Sequence, residues 1–481
     1  MAKQGLLAQS RPAANTDTVL YRAPIDQSAS TVLTIANDGT GSAYDVAVKD
    51  YDQKLTLDAS TYKLHEGDVI SSYVIEFDSS LNNDSPINAG DLITTTDKEK
   101  SFKFESFYIP AYTEIFVKEI GIRAITIESV TDSFSTGDTI TKGSGGNTTT
   151  ALVYQTSSDT IYIGPSTING SGTEFAAGDS ISESGGTAAA TISTGGVGSE
   201  VNEFIFSRTT SSGTYTAYFG GFSVFPDRTY RFDVSDSSMS GRDFKLSTTV
   251  NGEWGPDGVA GNSDDGSEYT TNKTTNGTAG SSGAYVQYAF AGTTTPDQLY
   301  IYDGGTGTAA NANYGGDDRY FNFSTAFTYP GIYIFDKVGT LVNSTDTFLL
   351  GGVTYTITSQ TAGAYGYVRD YTGTSLKFIK GLNSGDWSGS DTFRDVPKLN
   401  TASRTTATIS SVDVAAAAVE ASNYIVDGLT NGNNEVDKIT SLVVGPGETV
   451  VVKSTTQNNV FSLIGFEDSS TAITTRVFGQ S

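Results

Sequence analysis

Short runs of apolar or alternating residues recur along most of the chain, each closed by Gly, Asn, Asp or Pro. Early examples are Thr18-Val19-Leu20-Tyr21, Ser30-Thr31-Val32-Leu33-Thr34-Ile35 and Tyr44-Asp45-Val46-Ala47-Val48, with the turn signal Asn37-Asp38-Gly39 between the last two. A period of two with such punctuation predicts β-strands of half-buried sheets. The middle of the chain is richer in aromatics: Phe204-Ile205-Phe206, Tyr215-Thr216-Ala217-Tyr218-Phe219, Tyr230-Arg231-Phe232-Asp233-Val234, Tyr285-Val286-Gln287-Tyr288-Ala289-Phe290 and Leu299-Tyr300-Ile301-Tyr302. No segment sustains the apolar stripe of a helix, and Val412–Glu420 is the best short helical candidate. The expected fold is all-β, with several β-sandwich and small β-barrel-like modules in series.

Two patterns repeat. The runs Phe107–Lys118 and Leu442–Lys453 each read as an apolar strand, Pro, a short polar turn, Thr, a three-residue apolar run and Lys. With Pro presetting φ at the turn, both are expected to be hairpins of buried strands. They match either by chance or because residues 417–481 repeat or complete the first domain. The second pattern is Phe-x-x-Gly-Asp-x-Ile followed by a Thr/Ala strand, at Phe134–Ile140 and Phe175–Ile181. A looser version begins at Asp346-Thr347-Phe348 and at Asp391-Thr392-Phe393. Phe is expected as a core anchor, and Gly as a turn residue with positive φ. Two copies per block predict a small barrel-like module at 129–200 and a second at 340–414.

Composition agrees with strands and narrows the chemistry. With 481 residues, the chain exceeds what one core usually organises, so about three or four domains are expected. Aromatics make up 11% of residues, with 26 Tyr and 25 Phe, which argues against disorder. Fifty-four acidic residues against 29 basic ones give a formal charge of −25. This excess of negative charge is expected to solubilise the surface and disfavours a nucleic-acid partner, which would need clustered Lys and Arg. Absence of Cys removes thiolate ligands and nucleophiles, and the single His65 could serve only one imidazole site. Enzyme activity is therefore not expected, nor is a cofactor. The first residues lack the apolar core of a secretory signal and no long apolar window follows, so synthesis in the cytoplasm without membrane insertion is expected.

Few residue groups suggest a binding site. Asp257, Asn262, Asp264, Asp265 and Glu268 lie in one loop and could offer oxygen ligands to Ca²⁺, but their spacing is not that of an EF-hand. A solvated loop is the simpler reading of them. Gly143–Gly146 and Gly195–Gly198 lack the Lys and Ser/Thr of a phosphate-binding loop and read as turns. Aromatics around Trp254 and Trp387 could stack on sugars, although filling thin sandwich cores is the simpler role.

The stretch Tyr230–Thr248, containing Ser240-Gly241-Arg242-Asp243-Phe244, together with Tyr269-Thr270-Thr271, Gly280–Tyr288 and Leu299–Tyr302, resembles a cupredoxin-like domain. Copper-binding cupredoxins carry His, Cys, His and Met where this chain has Arg242, Asp303, Thr306 and Ala309, so the resemblance implies the sandwich without its copper site. Versions of this domain occur in structural proteins of phages that infect marine cyanobacteria. The resemblance thus implies a virion structural protein of a contractile-tailed bacteriophage, assembled in the host cytoplasm. Such a protein would decorate or join parts of the tail, neck or capsid, with other virion proteins and copies of itself as partners in a homo-oligomer on a symmetric assembly. The alternative expectation is a fibre-like, receptor-recognition protein that binds host-surface glycan. The expected organisation is an N-terminal arm (1–16) that orders on a neighbouring subunit, a β-sandwich serving as attachment domain (17–128) and a repeat module (129–200). A cupredoxin-like sandwich (201–339), a second repeat module (340–414) and a C-terminal β domain that repeats or completes the first (415–481) follow.

Overall fold

The computed structural model describes residues 4–469 apart from 26, 63, 83–86, 211–212, 219–222, 306–318, 362, 396–405 and 414–417. The fold is all-β, with several sandwich and barrel-like modules. It forms two compact units, one made of the chain up to Tyr108 with everything from Thr328 onward, the other of Ile109–Phe327. No helix among the described residues is long and apolar enough to cross a membrane.

The two ends of the chain build one sandwich in the first unit. Its first sheet runs Gln4–Ser10, Asn459–Ser469, Gln27–Asn37, Val436–Val444, and its second Thr18–Arg22, Thr449–Ser454, Ser42–Lys49, Tyr424–Asn431. Alternation in these strands turns Leu33, Ile35, Tyr44, Val46, Val450, Val452, Phe461 and Leu463 into a shared core. At one end, buried amides tie the termini together: Asn37 Nδ2 donates to Asn431 O at 2.9 Å, and Asn459 Nδ2 to Ser42 O at 3.2 Å. Residues 424–469 therefore complete the sandwich begun by 4–49. The N-terminal arm is also part of it. Leu6 pairs with Ile464 and Ser10 with Phe461, while Leu7 and Ala8 pack on the core, so this segment finds its partner strand within its own chain.

Three six-stranded barrel-like bodies follow, two in the first unit. The first is a closed barrel of Gln53–Leu57, Val69–Ser71, Tyr365–Thr372, Ser375–Lys380, Thr392–Asp395 and Thr406–Asp413. The second comprises Val74–Asn82, Leu92–Thr94, Ser101–Tyr108, Thr328–Val338, Thr347–Leu350 and Val353–Thr361, whose edge strands approach through a bridge between Thr95 and Phe348. The third lies in the second unit and joins the end of Thr113–Glu128 to Thr139–Ser144, Asn147–Ser157, Thr160–Ile163, Ser180–Glu183 and Ala189–Val197. Numbered in chain order within each body, the strands of all three run 1-6-5-2-3-4 around the circuit.

One corner turn precedes strands 2 and 5 of every body. At Phe134–Ile140, Gly137 N donates to Val153 O (2.8 Å), Val153 N to Asp138 O (2.8 Å), and the Asp138 carboxylate accepts from Ser135 N (2.6 Å). The same bonds recur at Gly178-Asp179 with Ile192, Gly67-Asp68 with Val368, Gly90-Asp91 with Phe104, and Ser390-Asp391 with Ile409. The last corner, Ser344-Thr345-Asp346 with Ile357, carries one extra residue. Positive φ is required at the first position, 97° at Gly137 and 76° at Ser390, hence the preference for Gly. The apolar anchor three residues before it is Phe134, Phe175, Trp387 or Leu64, each buried in its barrel, or Ile87, partly buried against the core of the second.

Several segments differ from expectation. The segment 17–128 is shared among the terminal sandwich, the first two bodies and the second unit, because each sheet needs strands from the far end of the chain to close. For the same reason the two repeats in 340–414 lie in different bodies, each paired with a corner from residues 64–93. Neither Pro-containing run is a hairpin. Gly445–Glu448 carries the chain from one sheet of the terminal sandwich to the other, and Ser101–Tyr108 and Thr113–Glu128 belong to different units. In Val412–Glu420 the first two residues end a strand, 414–417 lie outside the described residues, and a single 3₁₀ turn follows at Ala421–Asn423.

The rest of the second unit is an aromatic sandwich. Thr113–Glu128 pairs in parallel with Thr229–Asp233, which is followed by Tyr285–Ala289 and Lys273–Asn276; the opposing sheet is Phe244–Ser247, Gln298–Asp303, Tyr320–Asn322. Between them Phe232 packs on Phe244 at 4.9 Å and on Phe321 at 5.5 Å.

Candidate functional site

A cluster of buried charge lies where Phe244 pairs with Asp303 at the end of the short sheet of the aromatic sandwich. Ser237–Met239 forms a 3₁₀ turn capped by the Asp236 carboxylate, and the chain then swings Arg242 in front of this sheet. Asp303 is 0% exposed. Its Oδ1 accepts from the backbone N–H of Asp243 at 2.7 Å and of Gly305 at 3.0 Å, and its Oδ2 lies 3.5 Å from Arg242 Nη1. Arg242 also reaches Glu119 on Thr113–Glu128, donating from Nε to one carboxylate oxygen and from Nη2 to the other, the latter at 3.3 Å. The Asp303 carbonyl accepts from Trp254 Nε1 at 2.9 Å.

Burial pushes the Asp303 carboxyl above its ordinary range, opposed by the two backbone N–H groups and by Arg242. Alongside, Lys245 lies 3.1 Å from both Asp243 and Glu253 and 3.9 Å from Glu268. Burial works against the Lys245 charge, but Glu253 and Asp243 hold its pKa above the usual value. Glu268 also binds Lys273. Each carboxylate named here thus faces a cation or a backbone donor, which makes the cluster a pin between strands.

Arg242 and Asp303, the first two of the four positions compared with copper ligands, are therefore brought together. Thr306 and Ala309 lie outside the described residues. The five candidate calcium ligands are not assembled. Asp265 Oδ2 accepts from Gly261 N and Asn262 N, Asp257 accepts from Val259 N and Asn262 Nδ2, and Glu268 turns to the lysines. Among the described residues no group of three His, Asp or Glu side chains is arranged to hold a metal ion. Backbone N–H groups of the loop, the Asn262 amide and the Lys273 ammonium engage oxygens of Asp257, Asp265 and Glu268.

His65 stands in a corner turn, its backbone N donating to the Asp68 carboxylate at 2.6 Å. Trp387 is a core residue of the first barrel, packed edge-on against Phe378. Buried there, Trp387 offers no open stacking platform, while Trp254 is half-buried with its indole N–H turned to the Asp303 carbonyl. The first unit does contain a polar cleft of about 710 Å³, lined by Tyr73, Lys337, Asn383, Asp386, Ser388 and Thr392 among others. Burial lowers the pKa of Lys337 there. Sequence reasoning missed this cleft because its lining comes from three distant segments. It also missed Glu119, whose partner is 123 positions away.

Comparison with protein-family models, with curated proteins and with solved structures finds no match in any of the three.

Proposed function

We propose that this chain is a non-enzymatic structural protein of a virus particle, of the tailed-phage type, which decorates or joins parts of the tail, neck or capsid. The observation that carries this reading is the co-folding of both chain ends into one sandwich, with every other module inserted between Lys49 and Tyr424. An insertion of this kind leaves and returns at one sandwich, so attachment there tethers every other module through the chain itself. The resemblance of residues 230–302 to a cupredoxin-like domain supports the phage setting. The Arg242–Asp303–Glu119 cluster supports structural use of that sandwich, since the first two ligand positions bind each other. Purified particles examined by cryo-electron microscopy with an antibody to this chain are expected to show symmetric labelling. Particles that lack the chain would overturn the proposal.

A second reading, recognition of host-surface glycan, is favoured by the polar cleft around Tyr73, Lys337 and Asn383. On a glycan array, saturable binding lost in Lys337→Ala and Asn383→Ala would support it, and a blank array would remove it.

A further inference from the structure

The terminal sandwich has two unlike outer faces. On the second sheet the outward Ala47 and Val451 are covered, at 1% and 6% exposure. On the first sheet large apolar side chains stand in solvent, and the strand register shows how they are arranged. Leu6, Ile464 and Val32 form one row across three strands. Phe466 stands one step along, flanked through Ser30 by Val443, and Val436 lies at the far end beyond Ala36. These six side chains are 37–63% exposed.

Charge singles this face out further. The chain carries −25, yet among the outward side chains of the four strands only Lys438 and Asp468 are charged; the remainder are apolar or Ser, Thr and Gln. An exposed apolar patch rimmed by polar residues marks an interaction surface. For two molecules that both carry a large negative charge, contact is cheapest where neither presents carboxylates. The geometry points to a second copy of this chain as the occupant, the two uncharged sheets packing face to face about a two-fold axis. A self-complementary contact of this kind needs no opposite charge on either side.

The area is sufficient but modest. Four strands about 4.8 Å apart and about eight residues long at ~3.4 Å each present roughly 500 Å². A pair would bury on the order of 1,000 Å², near the lower bound of specific interfaces. The association is accordingly weak in solution and is reinforced by repetition when many copies stand on one assembly. The inference rests on the proposed structural role and deepens it by naming one partner.

Sedimentation equilibrium of the full chain is the test. A monomer–dimer equilibrium with Kd on the order of micromolar is expected, tightening as salt is raised, because screening relieves repulsion between the acidic bodies while leaving the apolar contact intact. Ile464→Glu and Phe466→Glu would each place two carboxylates across the axis and are expected to weaken the dimer at least tenfold. Val353→Glu, at an exposed apolar position outside this face, should leave it unchanged. Unaltered circular dichroism and melting temperature in all three variants would show that folding is retained. A chain that stays monomeric at 100 µM and high salt, or a dimer that loosens with salt or is indifferent to Ile464→Glu, would sink the inference. Either result leaves the particle-labelling experiment standing, and absence from particles would leave this dimer standing.

Discussion

Asp138 and Asp179 each bind the backbone N–H three residues before them, and each follows a Gly whose φ an L-residue adopts with strain. A Cβ built on Gly137 or Gly178 meets nothing within 4 Å, so the cost of adding one there is conformational rather than steric. Gly137→Ala is expected to destabilise by about 1 kcal/mol, and Asp138→Ala by about 1–2 kcal/mol through the lost charge-assisted bond. At the related corner Ser390 carries the strain itself, with φ of 76°. Ser390→Gly should therefore raise stability by about 0.5 kcal/mol, the relief of strain exceeding the added freedom of the unfolded chain. Thermal unfolding monitored by circular dichroism reads all three. Asp303 behaves differently. Its folded carboxyl holds a proton to higher pH than the unfolded one does, so the native state binds more protons above about pH 4 and this contribution to stability is lost as pH rises. Asp303→Asn retains the oxygen that accepts from Asp243 and Gly305 but cannot ionise. Relative to wild type its melting temperature is expected to climb between about pH 4 and pH 7; a flat or falling difference would contradict the assignment.

At the scale of elements, the common strand order explains how repeated short segments become stable. Three strands and one corner leave an open edge and a half-covered core, whereas two such halves close the circuit. In the third body both halves are continuous in sequence, and Ile122 pairs directly with Val201 where it joins the aromatic sandwich. Cores on either side are separate clusters, linked mainly by Tyr154 and Tyr162 against Ile205 and its neighbours. Replacing Arg123–Glu200 with Asn-Gly should therefore turn the two strands into a simple hairpin and leave the sandwich folded. Retained near-ultraviolet signal from the packed tyrosines and cooperative melting are expected; loss of both would show that the barrel is an obligatory part of the sandwich.

Across the whole molecule, nesting makes the strand Asn459–Ser469 the keystone of the terminal sandwich. Asn459–Ser469 lies between Gln4–Ser10 and Gln27–Asn37, and Phe461 and Leu463 fill the core against Tyr44 and Leu33. Contacts this distant in sequence form slowly. Truncation after Asn458 should leave Leu33, Ile35 and Tyr44 without cover. We expect dye binding to exposed apolar surface and loss of one unfolding transition, while transitions from the barrels persist. A truncated chain with an unchanged melting profile would refute the keystone role.

Strand content, all-β class and the Gly-Asp corners of residues 134–181 are legible in the chain because alternation and positive-φ turns are local properties. The corners at Leu64–Ile70 and Ile87–Ile93 carry the same signal, an apolar residue three before Gly-Asp, and were open to the same reading. Partnership was not. Asp346 and Asp391 lie close in sequence yet close different circuits, with Asp91 and Asp68 respectively, because a strand pairs with whichever edge the rest of the chain leaves open. Glu119 joins Arg242 and Asp303, and Leu6 lines up with Ile464 and Val32, for the same reason. Local pattern determined which residues turn inward along each strand. Only tertiary structure decided which strands meet, since pairing depends on closing a core over separations that a period of two does not encode.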